Sequence, residues 1–431
     1  MGRETNRVTR RDFVKRGAIL TASVSAFNIL STEKARAAVP IRIGLLGCGG
    51  RGRGALDNVM RAAREALKLD NVNVVALADF FADKIETAQN DLSEKWDTKI
   101  EAKNCFTGVE CYKQLLDTDI NYVMLCTPPV FRPPTLEAAV EAGKNIFMEK
   151  PAGVDPPGIR QVVAAGEKAK EKGLSIAAGT QRRHQKPYVE TIKRIHDGAI
   201  GDIVAAQAYW CGGPIGFKKR EPGWTDFEDQ VRSWYHYLWL SGDHVVEQHV
   251  HNLDVINWVM GDHPVHAFGL GARGWQERGN IWDHHAYHFQ YENGVQLLSM
   301  CTQYPRVDSR VNEFVQGTKG VSNCSNWIKG DSEWRFKGDS VDPYIQEHAD
   351  LIDSVQKGEP INEARNVAFS TMTAIMGRMA GYSARELTWD EAYNSKETVG
   401  LKEYKLGPVE LPPVAVPGGE KYTGEEGWNP G

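Results

Sequence analysis

From Ile41 onward, short apolar runs alternate with longer stretches of helical period. The runs at 41–46, 72–78, 122–126, 145–148 and 174–178 are rich in Ile, Val, Leu, Met and Ala, with few polar residues. Short, predominantly apolar runs bounded by turn residues read as strands covered on both faces. Between them, 55–69, 135–142 and 159–170 carry apolar residues at helical spacing. Thr127-Pro128-Pro129 stops one strand and Gly143 ends one helix. Strands alternating with helices imply parallel pairing and a doubly wound sheet.

After Arg183 the texture changes. Residues 188–197 read as a helix and 203–209 as a strand, followed by a Gly-, Pro- and Trp-rich loop through Trp224. The segments 286–291 and 295–301, joined at Glu292-Asn293-Gly294, read as a hairpin. A helix is expected from His244 to Met260. At about 100° per residue, His244, Glu247, Gln248, His251 and Asp254 share one polar arc. His249 falls on the apolar side with Val245, Val246 and Val250, which favours a structural role for it. The expected fold is therefore α/β: an N-terminal Rossmann-type parallel sheet over 38–183, then an α+β domain with a mixed, largely antiparallel sheet over 184–406. The Pro- and Gly-rich stretch 407–431 reads as an extended arm.

Charge and composition narrow the partners. Thr9-Arg10-Arg11-Asp12-Phe13-Val14-Lys15, a weakly apolar stretch and Ala35-Arg36-Ala37 occur in the order of a twin-arginine signal and its cleavage site. This predicts export through the twin-arginine machinery to the periplasm or an equivalent compartment, with 1–37 as signal peptide and no membrane span after processing. Without 1–37 the chain carries 43 Lys/Arg against 53 Asp/Glu and no basic stripe, so nucleic acid is a poor partner. The seven cysteines form no C-x-x-C pair. Twin-arginine substrates fold in the reducing cytoplasm, so free thiols agree with export.

The chemistry begins at Gly47-Cys48-Gly49-Gly50-Arg51-Gly52, a G-x-G-x-x-G between a strand and a helix. Glycines there let the backbone turn tightly and approach a pyrophosphate at the helix N-terminus. Asp79 ends the second strand, where a carboxylate binds ribose hydroxyls and repels a 2′-phosphate, favouring NAD over NADP. Glu149-Lys150-Pro151 follows a strand further along.

With the glycine fingerprint upstream, the chain resembles the Gfo/Idh/MocA oxidoreductase family. The run from Ser241 to Asp254 resembles that family's second motif, roughly G-G-x-x-x-D-x-x-x-H-x-x-D, with Ser241 for a glycine, Glu247 for the aspartate and His251 matching the histidine. The resemblance implies hydride transfer between a nicotinamide and a secondary alcohol of a sugar, glycoside or polyol. It places Lys150 in the active site beside the nicotinamide. His251 is then the expected general base, since imidazole titrates near working pH. Lys150 would stabilise the developing alkoxide. Glu247 would orient the histidine or bind a neighbouring hydroxyl. The expected cofactor set is Gly47, Gly49, Gly50, Arg51, Gly52, Asp79, Thr127, Pro128, Glu149 and Lys150. Arg182, His184, Tyr235, His236 and Asp254 are expected on the substrate, with Arg183 beside them. Trp210, Trp224, Trp234 and Trp239 are available as sugar-stacking faces or as core.

An exported enzyme meets little free NAD, which predicts a tightly held cofactor recycled in place, as in the glucose–fructose oxidoreductases that the chain also resembles. A homo-oligomer is expected, with the arm available to pack over a neighbouring subunit. The alternative is a redox-neutral glycoside hydrolase of the same superfamily, although that group's specific motifs are absent. His244, His249, His251, Asp283, His284, His285 and His288 also raise a metal site, but no metal is expected.

Overall fold

The computed structural model describes residues 39–419. The twin-arginine segment, the cleavage pattern and residues 420–431 of the arm lie outside the described residues.

Six strands form the first sheet: β1 (Ile41–Leu46), β2 (Val72–Asp79), β3 (Cys105–Thr107), β4 (Tyr122–Leu125), β5 (Asn145–Met148) and β6 (Ile176–Ala178). Their order is β3-β2-β1-β4-β5-β6, all parallel. Helices α1 (Gly50–Arg61), α2 (Ala82–Trp96), α3 (Cys111–Leu116), α4 (Arg132–Glu141) and α5 (Pro156–Glu171) connect them. The order reverses between β1 and β4, and doubly wound sheets bind ligands in the crevice at such a point. Helix α1 starts five residues before the expected position, because the glycine loop itself forms its first turn, and it runs on into one π turn at Ala62–Ala66. α2, β3 and α3 went unpredicted: β3 and α3 are too short to show a period, and α2 buries only Ile85, Ala88 and Leu92 along its fifteen residues.

Helix α6 (Lys186–His196) leads into the second sheet. Its strands are β7 (Ile203–Gly212), β8 (His266–Ala272), β9 (His284–Gln290), β10 (Gln296–Gln303), β11 (Arg310–Gly317), β12 (Gly320–Ser322), β13 (Trp327–Gly330), β14 (Trp334–Arg335) and β15 (Leu387–Thr388). The order is β14-β13-β12-β11-β7-β10-β9-β8-β15, with β7 and β10 parallel and the other pairs antiparallel. β9 and β10 form the expected hairpin. The architecture is thus α/β with a parallel Rossmann sheet and a second, mixed sheet.

Between β7 and β8 the chain forms α7 (Asp226–Arg232), α8 (Leu238–Ser241), α9 (His244–Glu247) and α10 (Val250–Met260). The helix expected over 244–260 is therefore broken at Gln248 and His249. Helices α11 (Pro343–Lys357) and α12 (Ala364–Ser383) follow the second sheet. Helix α11 returns to the first half, where Ile345, Ala349, Leu351 and Ile352 share a core with Ile41 and Leu45. Helix α12 packs on α5 and on β8, so one buried helix touches both sheets. Among the described residues nothing covers the opposite face of the second sheet, which carries Phe268, Leu270, Leu298 and Met300, each at least 40% exposed. The arm, as far as residue 419, packs on its own chain: the Trp282 indole N–H donates to Ala415 O (2.8 Å), and Gly418 N donates to Tyr382 O (3.0 Å). Among the described residues no helix is long and apolar enough to cross a membrane.

Candidate active site

β1 delivers the glycine loop to the switch point. Gly47 has φ 96°, and a Cβ there would lie 2.6 Å from the Cys126 carbonyl carbon. A Cβ on Gly52 would lie 1.8 Å from Gly47 O, so α1 can leave β1 this sharply only through glycine. By contrast, Gly49 and Gly50 face open space, with nothing within 4 Å of a built Cβ. That is a cradle open to a ligand at a helix N-terminus. Asp79 braces it: its carboxylate accepts from Cys48 N (2.7 Å) and Phe81 N (3.0 Å). Burial pushes the Asp79 carboxyl up, opposed by these two N–H groups. Thr127 is buried against the loop with an unpartnered hydroxyl, and Pro128 follows it. An open glycine cradle with a carboxylate at the end of β2 fits a dinucleotide. Arg51 reaches across to the Glu149 carboxylate, lies 3.8 Å from buried Glu347 of α11, and sits 4.9 Å over the Tyr344 ring. The α11 partners were invisible in the sequence, being about 300 residues from the loop they touch.

β5 is followed directly by Glu149-Lys150-Pro151, a segment fixed from two sides. Arg132 donates to Pro151 O (2.8 Å), and Ala152 N donates to the Thr371 hydroxyl (3.0 Å). The Lys150 ammonium crosses to the second half, donating to the Glu247 carboxylate at 2.9 Å and to the Glu247 backbone carbonyl. Burial pushes the Glu247 carboxyl up, and the Lys150 charge opposes it. The second Glu247 oxygen is buried without a partner.

His251 stands in the first turn of α10, buried. Burial drives its imidazole well below the ordinary histidine range, helped by the charges of Lys150, Arg182 and Arg51. Its ring stacks on Trp210 of β7, with centroids 5.6 Å apart and planes 21° apart. The broken helix corrects one expectation: the Glu247 carboxylate turns to Lys150, and no hydrogen bond joins it to His251. His249 points into the core, its Nε2 2.7 Å from the Ser299 hydroxyl of β10.

The expected substrate residues scatter. Arg182 is paired with buried Glu313 and lies near Trp210, beside His251. Asp254 is committed elsewhere: Arg183 donates twice to its carboxylate, Ser370 donates at 2.7 Å, and it is 1% exposed. His184 bridges Asp350 (2.6 Å) and Glu363 (3.2 Å). The Tyr235 hydroxyl meets His244 Nδ1 at 2.5 Å. His236 turns away, stacked 3.5 Å from the Phe217 ring and bonded to Gln276. Trp239 is core, its indole donating to Gln230 (2.7 Å), and Trp224 and Trp234 pack against Arg232 and Tyr235. Asp283 accepts from the backbone N–H groups of Gly274, Trp275 and Gln276. His284 bonds Tyr304, His285 bonds Asp243 and Tyr287, and His288 is exposed on the other sheet face. Among the described residues these side chains gather into no group of three or more able to hold a metal.

Residues 41–178 match the oxidoreductase family with an NAD-binding Rossmann fold, and residues 188–322 match that family's own C-terminal domain, together more than half of the chain. The chain belongs to the Gfo/Idh/MocA oxidoreductase family. Over 292 residues it is 25% identical to the uncharacterized oxidoreductase YrbE of Bacillus subtilis, covering 66% of this chain and 73% of that one. The scyllo-inositol 2-dehydrogenase (NAD(+)) of the same organism is 26% identical over 232 residues, 54% of this chain and 57% of that enzyme. The fold is shared with the aldose–aldose oxidoreductase of Caulobacter crescentus at TM-score 0.63 and 16% identity, over 81% of this chain and all of that one.

Proposed function

We propose that this member of the family oxidises or reduces a secondary alcohol of a sugar, glycoside or polyol, with NAD rather than NADP as its nucleotide. The observation that carries the reading is the Lys150–Glu247 pair. It brings the lysine that ends the nucleotide-binding sheet against the motif helix of the second half, next to His251. Bound NAD would accept or supply the hydride at its nicotinamide. Gly47, Gly49, Gly50 and Gly52 would admit the pyrophosphate, and Asp79 the ribose hydroxyls. Arg51, Thr127, Pro128 and Glu149 complete that wall. In the oxidative direction Lys150 Nζ donates a hydrogen bond to the reacting oxygen as its charge grows. His251, held neutral by burial, takes the hydroxyl proton as the carbinol hydrogen leaves with its electron pair. Glu247 holds Lys150 in place and offers its free oxygen to a neighbouring substrate hydroxyl. Arg182, near Trp210 and His251, would border the substrate, whereas the buried Tyr235 hydroxyl is taken up by His244. His184, His236 and Asp254 act through structure instead. The relative named for inositol oxidation agrees with a polyol.

Export through the twin-arginine pathway belongs to the same proposal, with NAD loaded before export and recycled in place by paired oxidation and reduction. A homo-oligomer is proposed through the uncovered sheet face that carries Phe268, Leu270, Leu298 and Met300. The test is to purify the protein without added cofactor, denature it and assay the supernatant for nucleotide. Near-stoichiometric NAD, with turnover of sugars in nucleotide-free buffer, is the expected result. An empty protein that turns over only with a continuous external supply of NAD contradicts the recycling reading.

A further inference from the structure

We propose that Trp210 is the positioning residue of His251, with the Arg182–Glu313 pair bracing the indole. The inference rests on the reading of His251 as the proton acceptor. A catalytic histidine is commonly oriented by a carboxylate on its second nitrogen, but here the motif's acidic side chains on either side of it are spent, Glu247 on Lys150 and Asp254 on Arg183 and Ser370. Among the described residues no side chain hydrogen-bonds the His251 imidazole. What fixes its plane is the indole of Trp210, stacked at 5.6 Å and 21°.

The indole is itself held. Trp210 lies on the helix-covered face of β7, above buried Ala208 and Ala206, and pairs with Cys301 of β10 and Val311 of β11. The Arg182 guanidinium lies 6.0 Å from its ring and 5.8 Å from that of Tyr188. Glu313, on the same sheet face and 1% exposed, pairs with Arg182. It also accepts from the Tyr188 hydroxyl (3.0 Å) and from the amide of Asn252 (2.5 Å), the residue after His251. One buried carboxylate thus ties the turn after β6, helix α6 and helix α10 together around the indole.

The charges around His251 explain why an aromatic face suits the task. Lys150 from the end of β5, Arg182 from the turn after β6 and Arg51 from α1 all oppose a proton on the imidazole. Glu247 precedes it on the neighbouring helical turn, already paired. When the substrate hydroxyl gives its proton to His251, an imidazolium forms among cations. The electron-rich indole face favours that cation, and it does so without adding a carboxylate that would hold the proton too tightly.

The test compares Trp210→Leu, Trp210→Phe and Glu313→Gln in the NAD-loaded protein, measuring kcat, KM and the pH dependence of kcat. Trp210→Leu keeps the site apolar but removes the face. Its kcat should fall about tenfold or more, with KM within about threefold. The acid limb of its kcat profile should move to lower pH by roughly half a unit, because the imidazolium has lost its stabilising partner. Trp210→Phe should restore most of the rate and the limb, and Glu313→Gln should fall between. Should the leucine variant fail to fold, the other two carry the same comparison. A raised KM with unchanged kcat would make Trp210 a sugar platform and overturn the proposal. A lost rate with an unmoved pH profile, or no rescue by phenylalanine, would overturn it also. Full activity in His251→Ala would instead remove the reading on which this inference rests.

Discussion

The two walls of the site are made of different material. The nucleotide wall is backbone: a glycine loop, a helix N-terminus and the ends of parallel strands, with Asp79 bonded to the loop's own N–H groups. The chemical wall is side chains from segments far apart, with Lys150 meeting Glu247 and His251 meeting Trp210. A backbone wall depends on what residues lack, since a methyl group on Gly52 would collide with Gly47 O. A side-chain wall depends on what each residue's partner does, so the same residue type can be reactive or inert according to its neighbour.

The sharpest way to break this contrast is to treat two neighbouring histidines alike. His251→Ala should lower kcat by about 10³-fold with the fold intact. His249→Ala removes the partner of Ser299 from the core. It should cost about 1–3 kcal/mol of stability with kcat nearly unchanged. Equal catalytic losses in two well-folded proteins would contradict the division. On the other wall, Gly52→Ala should weaken NAD binding by about 10²-fold or more, read by calorimetry on protein freed of nucleotide. Wild-type affinity there would show that the loop has room the structure denies it.

A smaller effect follows from pH. Burial pushes His244 and His249 down to about 3 and His236 down to about 4, all in the second half of the chain. The unfolded chain binds protons near pH 6.5, where the folded protein refuses them. Their contribution is therefore complete above pH 6.5 and is lost as pH falls toward about 4 for His236 and about 3 for His244 and His249. His184 works the other way, its imidazole raised by Glu363 and Asp350 against burial, as do the carboxyls of Glu247 and Glu347, raised by burial, and these offset part of the loss. The net expectation is a melting temperature several degrees lower at pH 5 than at pH 7, with a smaller drop in His249→Gln. A flat profile in the wild type would contradict it.

Legibility in the sequence followed the same division. The parallel sheet, the hairpin and the glycine cradle were readable because period, turn chemistry and glycine each leave a local mark. Lys150, Glu247 and His251 were readable as a motif, yet the geometry assigned to them was not. The break at Gln248 and His249 ends no apolar pattern and carries no Gly or Pro. The helical wheel therefore paired Glu247 with His251, where the structure pairs Glu247 with Lys150. Asp254 fell on the polar arc because a buried carboxylate bound to Arg183 has the same pattern as one facing a substrate. Trp210, Glu313, Tyr344 and Glu347 gain their meaning only from contacts across the fold. The aromatic cluster 234–239 was half legible: its composition suits sugars, but Trp239 is enclosed by Phe131, Phe227 and Tyr404.

On the proposed reading, Lys150 works on the reacting oxygen at the junction of the two walls. Replacing it strands Glu247, whose carboxyl is already raised by burial and can take up a proton rather than stay as an unpaired charge. Lys150→Met/Glu247→Gln avoids even that, preserving shape without either charge. The most direct measurement is a single turnover: NAD-loaded protein is mixed rapidly with a panel of sugars and polyols, and reduced nicotinamide is followed by absorbance. A burst is expected in the wild type with at least one polyol or sugar. In Lys150→Met and in the double variant the burst should be lost, by about 10³-fold in rate, with NAD still bound. A wild-type protein that carries NAD and gives no burst with any alcohol, or a Lys150→Met protein whose burst is unchanged, would contradict it.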